Sequence, residues 1–132
     1  MKISKLTLFL DIDGVLTTTT QYYTNKEKWN SEYHRYKFDE KCVKVFNQII
    51  EKTKPIIVIS SDWKDSYTIE QLSRIFEINR VNAKVFDITP QLWGIKYFNL
   101  IELEECRANE ILKYVEDHKI KKFIAIDDLD LS

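Results

Sequence analysis

Glycine and proline are nearly missing from this chain, at two of each in 132 residues. That scarcity excludes collagen-like and low-complexity architectures. It also makes Gly14, Gly94, Pro55 and Pro90 informative, because each marks a place where the backbone is constrained. Cysteine is equally sparse. Cys42 and Cys106 have no metal-type spacing, so they are expected to be reduced thiols in a cytoplasmic protein. Long apolar runs are missing too, and no stretch approaches the length of a membrane span. The opening MKISKLTLFLD lacks a small-residue cleavage site and argues against a signal peptide. Nor is there an excess of one charge. Lys and Arg number 20 against 21 Asp and Glu, which leaves no global footprint for a polyanion but keeps a local basic patch open.

Apolar residues make up 44% and aromatics 13%, enough for a packed core and far from a disordered composition. The length fits a single domain, residues 1–132. Residues 6–10 (LTLFL) form a short apolar run expected of a strand buried on both faces. Residues 17–38 follow as a polar and aromatic flap with no steady apolar period. Asp39 is placed to cap a helix running to about Lys52, with Cys42, Val45, Phe46, Ile49 and Ile50 on one face. Pro55 leads into a second strand, residues 56–60 (IIVIS). Thr68 and Gln71 form a capping-box pattern before a helix burying Ile69, Leu72, Ile75 and Phe76. AKVFDI (83–88) reads as a third strand, 104–118 as a helix with Ile111, Leu112 and Val115 inward, and FIAID (123–127) as the last strand. Residues 91–103 carry no clear period, and Trp93, Tyr97 and Phe98 point to a packed loop or a short helix there. Apolar strands alternating with helices predict an α/β fold with a parallel sheet covered on both faces.

In such a sheet, ligands bind beyond the C-terminal strand ends. The chemistry-capable residues fall there: Asp11 and Asp13 after the first strand, Ser60 and Ser61 after the second, Asp127 and Asp128 after the last. Carboxylates crowded at one edge repel and lose hydration, so they call for a cation. Mg²⁺ fits, because it takes oxygen ligands and shares a phosphate. Beside such an ion, Asp11 is the candidate nucleophile on phosphorus and Asp13 the acid and base. Gly14 permits a sharp turn, and Ser60 offers a hydroxyl and a backbone N–H to phosphate oxygens. Arg107 is the candidate cation facing the phosphoryl group, with Lys96 and Lys113 as alternatives. Trp63 and Lys64 are placed to line the site, packing being the competing role for Trp63.

LFLDIDGVLT, IIVISSD and FIAIDD, in that order, resemble the haloacid dehalogenase (HAD) superfamily of phosphohydrolases. ISSDWK, DITP, RANEILKYV and IDDLD are similar to one branch, the HAD domains of Swiss-army-knife RNA repair proteins. The resemblance implies a Rossmann-like fold and an Mg²⁺-dependent phosphatase working through an aspartyl-phosphate. The roughly 40 residues between the first and second motifs leave little room for an inserted domain, so a capless form is expected. The resemblance also implies that Asp11 is nucleophile and metal ligand, and that Asp13 is acid/base and lends its carbonyl to the metal. Ser60 would hold the phosphoryl group, or Ser61 if the register shifts by one. Arg107 stands where most of the superfamily has lysine, and Asp127, with Asp128 beside it, would complete the metal sphere.

The branch resemblance implies a phosphorylated nucleic-acid end or a nucleotide as the substrate. The alternatives are a catalytically silent phosphate-pocket binding domain and a phosphoprotein phosphatase. In the flap, Tyr22, Tyr23, Trp29, Tyr33, His34, Arg35, Tyr36 and Lys37 interleave aromatic and basic groups that suit base stacking, or simply pack on the sheet. His34 and His118 show no ligand spacing.

Overall fold

The computed structural model describes residues 5–17, 38–65, 67–90 and 100–128. The flap residues named above, together with Trp93, Gly94, Lys96, Tyr97 and Phe98, lie outside them. The elements run β1 (Thr7–Leu10), α1 (Glu40–Thr53), β2 (Ile56–Ile59), a 3₁₀ turn (Asp62–Asp65), α2 (Ile69–Ile78), β3 (Val85–Ile88), α3 (Leu100–His118) and β4 (Phe123–Ile126). The four strands form one parallel sheet in the order β3-β2-β1-β4. This is the expected α/β, Rossmann-like arrangement.

β1 is buried throughout, and its alternation divides the core. Leu8 and Leu10 pack with Ile57 and Ile59 against Val43, Phe46 and Ile50 of α1 and Leu72, Ile75 and Phe76 of α2. On the opposite face, Phe9 and Val58 meet Ile111 and Tyr114 of α3. The Phe9 and Tyr114 rings stand edge to face, 5.6 Å apart. Helices therefore cover both faces of the sheet's centre.

Local signals set the helix starts. The Asp39 carboxylate accepts from the N–H groups of Lys41 and Cys42. Thr68 and Gln71 close the capping box reciprocally. The buried stripes differ from the expected ones. α1 buries Val43 and leaves Val45 exposed, and α3 buries Tyr114 and leaves Leu112 exposed. Hydrophobicity alone misplaced both, because in each helix the neighbouring core determines which apolar residue turns inward. α3 also begins at Leu100, four residues before the predicted start.

The strands are less uniformly buried than their composition predicts. Phe86 on β3 and Phe123 and Ile124 on β4 are exposed. β3 and β4 are the outer strands of the described sheet, and the helices sit over β1 and β2. Among the described residues, no helix is long and apolar enough to cross a membrane. Cys42 and Cys106 are not joined in a disulfide.

Candidate active site

Parallel register brings the three strand-end motifs side by side. Leu10 pairs with Ile59 on one side and with Ile126 on the other, so the next residues along are Asp11, Ser60 and Asp127. Backbone bonds carry the ladder one step further, from Asp11 N–H to the Ile126 carbonyl (3.0 Å) and from Ser60 N–H to the Leu10 carbonyl (2.9 Å). The second bond corrects one expectation. The Ser60 N–H serves the sheet, and only the hydroxyl is left to face a ligand.

Asp11, Asp127 and Asp128 each bring a carboxylate oxygen within 4.8 Å of the others. Arg107, on α3, donates to Asp127 Oδ2 at 2.7 Å and lies 3.5 Å from Asp11 Oδ1, with all three side chains almost fully buried. Lys113, one of the alternative cations, instead faces solvent and pairs with Asp117. Burial and the negative charge of Asp127 push the Asp11 carboxyl up to about 8, against the pull of Arg107. Asp128 shares a hydrogen bond that raises it further, and the Ser61 hydroxyl lowers it. A hard divalent cation suits this donor set. It would offset carboxylate repulsion that one guanidinium does not.

The turn after β1 is tightly built. The Ile12 carbonyl accepts from Val15, Leu16 and Thr17, and Gly14 N–H donates to Thr17. Gly14 has φ +81, and a Cβ there would run into the Asp128 carboxylate. Asp13 is exposed on this turn, its carboxylate accepting from the Thr17 hydroxyl at 3.2 Å, and it lies outside the three-carboxylate cluster. Ser60 is buried, and its hydroxyl has no hydrogen-bond partner. An unpaired hydroxyl in such a place costs about 1–3 kcal/mol unless a ligand meets it.

Trp63 packs against the core, 5.9 Å from the Phe38 ring and 5.5 Å from Tyr67. Packing therefore accounts for it. Lys64 is close by, but its ammonium is occupied by Glu110 (2.8 Å) and Thr89 (3.0 Å). Glu110 and Thr89 were not singled out from the sequence. The signal for Glu110 was its place three residues after Arg107, on the same helix face. Tyr114 was missed as well. Its hydroxyl donates to Asp87 at 2.8 Å, and burial with that bond raises its ionisation further above the usual phenol range.

The family model described as the HAD domain in Swiss Army Knife RNA repair proteins matches residues 7–132. Comparisons with curated proteins and with solved structures gave no match. With nearly its whole length matched, the chain belongs to the HAD domain family of Swiss Army Knife RNA repair proteins.

Proposed function

We propose that this chain is a capless, single-domain phosphomonoesterase that requires Mg²⁺ and acts on phosphorylated nucleic-acid ends or nucleotides. The observation that carries the reading is the convergence of Asp11, Asp127 and Asp128 beside a buried Arg107. Asp11, Asp127 and Asp128 would hold the ion, with the Asp13 carbonyl as a further donor. Bound there, Mg²⁺ supplies positive charge that favours the ionised carboxylates and a phosphoryl oxygen.

In this reading, an Asp11 oxygen attacks phosphorus and the ester P–O bond breaks, leaving the phosphoryl group on Asp11. Asp13 gives its proton to the departing oxygen. It then takes a proton from the water that attacks the same phosphorus, freeing Asp11 and phosphate. The unpartnered Ser60 hydroxyl donates to a phosphoryl oxygen, and Arg107 faces the charge developing there. Gly14 keeps the approach clear of a side chain, while Ser61 borders it. The family's association with RNA repair supports the nucleic-acid substrate.

The test is Mg²⁺-dependent phosphate release from an aryl phosphate, comparing the natural chain with Asp11→Asn after both are shown to be folded. Turnover should fall by on the order of 10³-fold or more in Asp11→Asn. A folded natural chain with no turnover on aryl phosphate or on end-phosphorylated oligonucleotides would overturn the reading. Faster release from a phosphopeptide than from oligonucleotides would move the substrate to phosphoproteins.

A further inference from the structure

We propose that Glu110 is a positioning residue that acts through Lys64 to hold Arg107 against the carboxylate cluster. The proposal rests on the reading of Arg107 as the cation facing the phosphoryl group.

Glu110 and Arg107 lie three residues apart on α3, so they share a face one turn apart, and both are buried. Arg107 reaches the ends of β1 and β4. Glu110 reaches Lys64, whose ammonium also bonds Thr89 at the end of β3. Lys64 is itself tied to the phosphate-facing loop, because its N–H donates to the Ser61 carbonyl at 3.1 Å. Thr89 N–H in turn donates to the Ile59 carbonyl, next to Ser60. One buried ion pair thus joins α3, the Ser60–Ser61 loop and β3.

Among the described residues, the apolar contact of α3 with the sheet is centred on Ile111 and Tyr114 against Phe9 and Val58. Packed helices can slide past a neighbour by small amounts where apolar contacts alone hold them. A charged pair at 2.8 Å, with each side chain almost fully buried, does not allow this. Buried ion pairs contribute little net stability compared with apolar replacements, so fixing one arrangement is the function left to this one. An Arg107 displaced by about 1 Å would lose on the order of 10²-fold in rate.

The decisive variant is Lys64→Met with Glu110→Met, which removes both charges together and keeps the volume. NMR of the Arg107 side-chain N–H groups in metal-free protein reads positioning without any turnover. The natural chain should give a sharp, slowly rotating guanidinium signal, and the double variant a broadened one. With aryl phosphate, kcat should fall about 10–100-fold while KM moves less than about threefold. A folded double variant with an unchanged Arg107 signal overturns the proposal. If the double variant does not fold, Glu110→Gln and Lys64→Arg decide. Glu110→Gln should broaden the signal and Lys64→Arg preserve it, and an unchanged signal in Glu110→Gln overturns the proposal. A natural chain with no turnover but a pair-dependent Arg107 signal would remove the phosphatase reading and leave the positioning intact.

Discussion

Arg107 donates to Asp127 at 2.7 Å across twenty residues of chain, joining α3 to the end of β4 with both side chains almost fully buried. The same guanidinium lies 3.5 Å from Asp11, so one cation is shared by carboxylates from two strands.

Removing that cation should be severe. Arg107→Met leaves buried carboxylates facing one another, and a loss of about 3–5 kcal/mol is expected in metal-free buffer. Magnesium should recover part of it, because a bound divalent ion restores positive charge at the same carboxylates. Denaturant melts with chelator and with saturating Mg²⁺ measure both effects.

The Asp11 carboxyl gives metal-free protein a pH signature. Folded, it keeps its proton up to about 8, whereas an unperturbed aspartate loses it near 3.8. Between those values the folded state binds the extra proton, so stability falls as pH rises, by up to about 1.4 kcal/mol per pH unit. Above about 8 the contribution is flat. Urea midpoints in chelator should show this decline, and Asp11→Asn should remove it.

Gly14→Ala should be costly in two ways. The backbone sits at φ +81, where a side chain is strained by about 1–2 kcal/mol. The added methyl would also press on the Asp128 carboxylate. Weaker Mg²⁺ binding by titration calorimetry, alongside a lower melting temperature, is the expected result.

The register of α3 can be tested away from the site. Leu112 is 57% exposed, so Leu112→Lys should change stability by less than about 0.5 kcal/mol. Tyr114→Phe removes the hydroxyl that donates to Asp87 and should cost about 1 kcal/mol. The reverse order in urea melts would contradict the placement of this helix.

The sequence by itself determined the strand ends, the helix caps and the parallel α/β class. These depend on local chemistry: an apolar run that stops at Asp11, an Asp39 or Thr68 that caps the turn following it, and a Gly14 that alone suits its backbone. It also placed Asp11, Ser60 and Asp127 at one edge, since parallel strands in register align whatever follows their last apolar residue. The tertiary structure decided what those residues have for partners. That the Ser60 N–H is taken by Leu10, that Lys64 turns to Glu110, and that Val43 and Tyr114 face inward in place of Val45 and Leu112 depend on packing between elements far apart in sequence. Hydrogen bonds and ion pairs of that kind follow from the distance between segments once the sheet and helices have closed on one core. Residue type alone does not carry that distance.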